Sequence, residues 1–348
     1  MKEDNIKLLS NTNPFIYLCD SMTTMTYKIL ILLLIQFAAL IVSKSYDSVL
    51  VILFSFLGAF AACGLYYLIT KENFYKSFDI LIQGLFIGFF LPGSFPLPAV
   101  FFITFVILFM FKVYVRNSNN WINPSILTII VAYFVGKIYF PGFTISFDLL
   151  TTKNPSVSLI SSGTFPIFSF DSSITNFLNT YILSIFKVSI PEGLISLLWD
   201  TNAAIPAFRF NLLTILSTVV LFCNNFVMGI IPMIFVLVYA VMVRLFAPFC
   251  YGGTFNSGDV ILALLSSGTL FTAAFMMQYP GTIPISINGK IIYGILAGLL
   301  AFFISGEGTS PIGMAYTILI CNVFNLILRY LEDINNEKFR LAGAQEQN

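Results

Sequence analysis

Two apolar runs in this chain end in the same knot of sequence, and that recurrence limits the fold more than any other feature. Gly84-Leu85-Phe86-Ile87-Gly88-Phe89-Phe90-Leu91 leads into Pro92-Gly93-Ser94-Phe95-Pro96, and the knot returns as Pro280-Gly281-Thr282-Ile283-Pro284. Pro124 follows Pro96 by 28 residues, and Pro311 follows Pro284 by 27. Proline removes a backbone donor and glycine admits turns, so an apolar run with such an end reads as a discontinuous membrane helix. Two of them in corresponding places predict an internal repeat with its binding site at the breaks.

The rest of the chain supplies the frame. It is 58% hydrophobic and only 9% charged, which places it among polytopic membrane proteins. Apolar segments lie at 26–43, 48–70, 79–97, 98–115, 123–140, 210–224, 227–246, 260–279, 289–306 and 311–331. Each is near the roughly 20 residues that a bilayer requires. The expected fold is therefore an all-α integral membrane protein of about ten helices in two five-helix repeats, with broken helices at Pro92 and Pro280. Five is odd, so the repeats must be inverted. The expected organisation is an N-terminal segment 1–25, a first repeat 26–140, a loop 141–209, a second repeat 210–331 and a tail 332–348.

Lys and Arg set the orientation. With the N-terminus in the cytoplasm, Lys28, Lys71, Lys112, Arg116, Lys290 and Arg329 fall on the inner side, and the short outer loops hold only Lys44 and Arg244. Loop 141–209 then lies outside and both termini inside. The loop is rich in Ser, Thr and Asn, and Tyr181 to Asp200 reads as short amphipathic helices on the membrane surface. The N-terminus lacks the pattern of a cleaved signal.

Several chemistries have no residues to carry them. The chain contains no His, so it offers no imidazole base or ligand. Its five cysteines are scattered without a CxxC, and its net charge is +1, which gives no reason to expect nucleic acid. No Walker loop, zinc spacing, hydrolase elbow or dinucleotide fingerprint occurs, so no catalytic or metal residue is assigned. Asp79, Lys137, Asp259 and Glu307 fall near span ends and read as interfacial. Asp200 and Arg209 flank the sixth span and are placed to pair. Gly84, Gly88, Gly268 and Ala273 read as close helix packing. Asn123 before Pro124 is a helix N-cap followed by proline at the first helical position.

Three blocks resemble a known family. Gln83 to Pro92 is similar to its GLLLALTLPP stretch. Asn120-Trp121-Ile122-Asn123-Pro124-Ser125, closing at Phe140-Pro141, is similar to NxFNPA…FP. Leu265 to Met276 is similar to LLSGGLLFGAFFM, and the likeness continues through Gly289 to Gly294 and Gly313 to Tyr316. In order and spacing they resemble the RnfD/NqrB family: the D subunit of the Rnf electron-transport complex and its homologue, the B subunit of the sodium-pumping NADH–quinone reductase. The resemblance implies a membrane component of an ion-translocating ferredoxin–NAD oxidoreductase in the bacterial inner membrane. It implies FMN joined through its phosphate to an outer-face threonine, and in some relatives a second flavin, such as riboflavin, near the inner face. Partner membrane, Fe–S and flavin subunits, and Na⁺ or H⁺ transport, come with it. The quinone-reductase homologue, or a flavin-free channel or transporter on the same scaffold, are the alternatives.

Departures from the family pattern matter as much. The family attachment motif runs Asp-x-x-Ser/Thr-x-Ala-Thr. Ser161-Ser162-Gly163-Thr164 keeps the serine and a small residue, with Ser158 where the Asp belongs. Ser172-Ser173-Ile174-Thr175 has Asp171 nearby but Ile174 in place of the small residue. The acidic neighbour favours Thr175, with Thr164 as the rival, and attachment requires a hydroxyl that a transferase can reach. By resemblance, Asn120 and Asn123 meet the polar edge of a second flavin, whose ring offers donors and acceptors. The family's Thr-Asp before the later proline is Gln278-Tyr279 here, so the carboxylate expected at that break is missing.

Overall fold

Inside a bilayer every backbone polar group must be satisfied within the protein, so apolar runs of this length fold as helices. The computed structural model describes residues 22–71, 78–114, 121–139, 167–186, 189–223, 226–251, 258–279, 281–306 and 312–345. Among the described residues it is all-helical, without a strand. The first half contains α1 (Met22–Val42), α2 (Tyr46–Thr70), α3 (Phe78–Phe90), α4 (Leu97–Tyr114) and α5 (Pro124–Tyr139). The intervening loop contributes α6 (Asp171–Phe177), prolonged by a π turn Leu178–Ile182 and a 3₁₀ turn Leu183–Phe186, and then α7 (Leu194–Trp199). The second half contains α8 (Asn211–Phe222), α9 (Phe226–Tyr251), α10 (Val260–Ser266), α11 (Thr269–Phe271) with its π extension Thr272–Met276, α12 (Ile287–Ser305) and α13 (Gly313–Gln345).

Six of these helices are long and apolar enough to cross a membrane: α1, α2, α4, α9, α12 and α13. The other four expected spans are short or broken, for a physical reason. A 13-residue helix such as α3 rises only about 20 Å, less than the hydrocarbon core. The remaining depth is covered by non-helical chain, which survives there only because protein surrounds it. Leu91 and Pro92, just past the end of α3, are buried. The 3₁₀ turn Pro206–Phe208, just before α8, is buried as well. The eighth span is interrupted at Ser267-Gly268, where Gly268 takes φ +71°, a left-handed value that glycine adopts without a Cβ penalty.

The halves run in opposite senses. We call the side carrying α6 and α7 the loop face and the opposite side the far face. The first knot, Pro92 to Pro96, lies at the loop face, where Gly93 N–H donates to Ala204 carbonyl (3.4 Å). The second knot follows Tyr279, whose hydroxyl bonds Asp79 at the start of α3, so it lies at the far face. In each half the second and fourth spans pack along one another through a glycine. A Cβ on Gly58 of α2 would stand 2.7 Å from the Phe101 carbonyl of α4, and one on Gly298 of α12 would stand 2.7 Å from Val238 of α9. The broken helices meet at the centre through aromatic contacts: Phe89–Phe271 at 5.6 Å, Phe90–Phe271 at 5.7 Å and Phe86–Phe275 at 6.3 Å between ring centroids.

Candidate functional site

Polar groups concentrate at three places: the folded part of the loop, the segment that enters between the breaks, and the far-face junction of the halves.

In the loop, Asp171 is fully buried and organises its surroundings. Its Oδ1 accepts from Gly193 N–H (2.8 Å) and the Thr175 hydroxyl (3.0 Å). Its Oδ2 accepts from Ser196 N–H (2.6 Å) and the Ser196 hydroxyl (2.7 Å). The carboxylate thus caps the N-terminus of α7, where donors are otherwise unpaired. Burial by itself raises the Asp171 pKa, but the bonds donated by Gly193, Ser196 and Thr175 outweigh it and hold the carboxyl below its ordinary value. Thr175, the attachment residue that the sequence favours, is only 1% exposed and its hydroxyl is engaged by Asp171. The acidic neighbour that drew attention to Thr175 holds it inward. Thr164 lies outside the described residues.

Residues 200–210 then turn into the space between the halves. Asp200 and Arg209 do pair: Arg209 Nε donates to Asp200 Oδ1 (2.8 Å) and Nη2 to Oδ2 (2.5 Å), both side chains being buried. Arg209 also donates to the Ser45 hydroxyl in the α1–α2 turn. The Thr201 hydroxyl donates to the Phe208 carbonyl (2.7 Å) and closes this loop on itself. Between those clamps, Ala204 accepts from Gly93 of the first break, and the Phe208 ring lies over Gly268 of the second, where a Cβ would meet it at 2.2 Å. One short segment therefore touches both broken helices.

At the far face Asn123 performs the capping role its sequence predicts. Its Oδ1 accepts from Ser125 N–H (3.1 Å) and the Ser125 hydroxyl (2.6 Å), and its Nδ2 donates across the halves to the Met276 carbonyl (3.3 Å). Asn322 of α13 is oriented to accept from Asn123 N–H (3.2 Å) and to donate to the Ile318 carbonyl (3.3 Å), with the Tyr293 hydroxyl 3.3 Å from its amide. Asn325, a helical turn further along α13, is fully buried with neither amide atom bonded. Nothing in its local sequence distinguishes Asn325. Only its burial and missing partners do. Asn120 lies outside the described residues.

Beside this junction, a cavity of about 100 Å³ opens between the halves, lined by Met25, Ile82, Phe86, Phe275, Gln278 and Tyr279 among others. Asp79 also faces it. Asp79 Oδ2 accepts from the Gln83 amide (3.1 Å) and the Tyr279 hydroxyl (3.1 Å). The carboxylate absent from the second knot is supplied at that level by the first half. Gln278 donates to the Met228 carbonyl and leaves its Oε1 buried and unpartnered. No cluster of metal-ligating residues occurs among the described residues.

Comparison with known proteins finds relatives by sequence. The D subunit of the ion-translocating oxidoreductase complex of Escherichia coli O81 (strain ED1a) is 26% identical over 231 residues, which is 65% of this chain and 60% of that protein. The corresponding D subunit of Actinobacillus succinogenes is 25% identical over 267 residues, covering 72% of this chain and 74% of the relative. That of Cellvibrio japonicus is 34% identical over 92 residues, about a quarter of each chain. The match thus spans 60% of the length of the E. coli relative. A family model covers nearly all of this sequence, residues 9–336. This multi-pass all-α membrane protein belongs to the NQR2, RnfD, RnfE family.

Proposed function

We propose that this chain is the RnfD-type membrane component of an ion-translocating oxidoreductase, working with partner membrane, Fe–S and flavin subunits rather than alone. The observation that carries the reading is the family match across 9–336, supported by relatives named as D subunits of an ion-translocating oxidoreductase complex. The inverted pair of broken helices, with an interface crossed by polar contacts at the far face, is the architecture of ion-coupled membrane proteins. In this reading the loop face is outside and the far face is cytoplasmic, in the inner membrane, as the distribution of Lys and Arg supports. Electrons move between ferredoxin and NAD through the complex, with Na⁺ or H⁺ translocation.

FMN, attached through its phosphate to a threonine of the loop, supplies one-electron redox chemistry to such a component. Thr175 does not fit that attachment. Its hydroxyl is buried and bonded to Asp171, where a transferase has no access. We therefore assign the attachment to Thr164. For a second, non-covalent flavin at the far face, Asn123 has its amide committed to the cap and to Met276. Asn325 is a buried carboxamide there with donor and acceptor unpartnered; with Asn120 it would hold the polar edge of such a ring, which offers donors and acceptors.

The test is flavin fluorescence of the denatured, gel-separated chain, followed by mass mapping of loop peptides. A fluorescent band with FMN on the Thr164 peptide, lost in Thr164→Ala and kept in Thr175→Ala, is the expected result. A modified Thr175 peptide would reverse the assignment, and a dark, unmodified chain would leave the flavin-free transporter reading.

A further inference from the structure

The loop helix 171–186 divides its surface three ways. One face is packed inward, with Asp171 and Thr175 buried. A second carries Ile174, Phe177, Tyr181 and Ile185, spaced three, four and four residues apart, so they form one stripe along the helix. These large side chains are exposed by 40, 56, 68 and 76% respectively. The third carries Ser173, Asn176, Thr180 and Ser184, each one residue before a member of the apolar stripe and each exposed. Over the α-helical turns Asp171–Phe177 the two stripes stand about 100° apart, and the π and 3₁₀ turns carry them on, with Ile182 (45% exposed) beside the apolar one.

We propose that helix 171–186 lies half-embedded in the lipid interface at the loop face, its apolar stripe in the acyl boundary and its polar stripe in water. An apolar and a polar stripe side by side along one axis are the surface of a helix that lies in the plane of a bilayer interface. The apolar surface continues to the spans. Helix 171–186 is tied to α7 through Asp171 and Ser196, and α7 to the start of α8 through Asn211, which donates to the Leu197 carbonyl (2.9 Å). Along that route Trp199, a residue type that favours the headgroup zone, is 53% exposed, and Leu216 and Val219 of α8 are exposed as well. No residue from 172 to 186 is charged. The occupant is therefore the acyl boundary of the bilayer, recognised by depth and not by headgroup charge.

The experiment uses the full chain in nanodiscs of zwitterionic lipid. Nitroxides at Tyr181→Cys and Ile185→Cys are compared with Thr180→Cys and Ser184→Cys in a background with the five native cysteines replaced. The ratio of oxygen to nickel-chelate accessibility is expected to be several-fold higher for the first pair, and unchanged by added anionic lipid. Equal ratios for the two pairs overturn the proposal. So does protection of positions 181 and 185 that appears only after partner subunits are added, because that assigns the stripe to a protein contact. A second readout keeps the native cysteines: Tyr181→Trp fluorescence is expected to be quenched by lipids brominated near the headgroup end of the acyl chain. Quenching no stronger than that of Thr180→Trp overturns the proposal equally.

Discussion

The two broken helices carry the same sequence knot and are held in different ways. In the first half, α3 is regular up to Phe90 and pressed against α2. A Cβ on Gly84 would stand 2.4 Å from the Ala59 side chain, and one on Gly88 would stand 2.7 Å from the Ile52 backbone. The Ser55 hydroxyl donates to the Gly84 carbonyl (2.7 Å), so the polar atom that enters this contact is satisfied. In the second half the equivalent span is interrupted at Gly268 and then widens into the π turn Thr272–Met276. The hydroxyl of Thr272 and the Oε1 of Gln278 are buried without partners. Such a turn often marks a functional site. An unpartnered buried polar atom costs roughly 1–3 kcal/mol. The first break, packed and satisfied, is thus an anchor; the second, with a π turn and unpartnered polar atoms, is the more pliable element, and segment 200–210 ties them together.

The tie should give the largest effect. Asp200→Ala leaves the Arg209 guanidinium buried and unpaired, which costs about 3–5 kcal/mol. The thermal midpoint in detergent is expected to fall accordingly, and Asp200→Ala with Arg209→Met to recover most of it. An unchanged midpoint for the single variant would remove the ion pair as the link between the breaks.

Gly268→Ala comes next. It meets both a left-handed backbone and the Phe208 ring, at roughly 2–3 kcal/mol. If Gly84→Ala, which meets only crowding, proved the more damaging in the same thermal assay, the ranking of the two sites would reverse.

Asp171→Asn, at about 1–3 kcal/mol, tests the loop. The folded pKa of Asp171 is lowered, so its contribution is complete above the unfolded value near 4. It is lost as pH falls through the lowered folded value. Hydrogen exchange of residues 193–199 should therefore be pH-insensitive in its protection from pH 5 to 8, loosen only in stronger acid, and lose that acid step in Asp171→Asn.

The smallest effects form a pair. Ser55→Ala removes a satisfied hydroxyl and should cost about 1 kcal/mol, whereas Thr272→Val removes an unsatisfied one and should be neutral or slightly stabilising. Equal losses from both, in chemical unfolding of the reconstituted chain, would erase the distinction between anchor and pliable element.

Much of this was legible in the sequence, and for definite reasons. Apolar runs must become helices in lipid, so each of the ten expected segments contains helical chain, though four of them are short or broken. Proline and glycine act locally, so the breaks at Pro92 and before Pro280 and the cap at Asn123 follow from neighbours in the chain. Odd parity alone implies opposite senses for the two halves. What sequence reasoning missed depends on partners far apart in the chain. Asp79 stands at a span end, as the sequence reads, but its bond to Tyr279, 200 residues later (3.1 Å), could not be seen there. Asn325 looks like any residue of an apolar helix, and its significance is the absence of partners in space. Asp171 marked Thr175 as an attachment residue by proximity in sequence, while the fold makes the same carboxylate the reason that hydroxyl is buried.

By itself, then, the sequence determined the class of fold, the number of apolar segments, the break at Pro92 and the inversion of the repeat, because covalent geometry and the cost of desolvating backbone act residue by residue. The interruption at Gly268, which the sequence reads as helix packing, it did not show. Only the tertiary structure decided which buried polar groups are satisfied, which half supplies the far-face carboxylate, and that residues 200–210 join the two breaks. Those outcomes rest on short-range contacts between segments that the chain order leaves far apart.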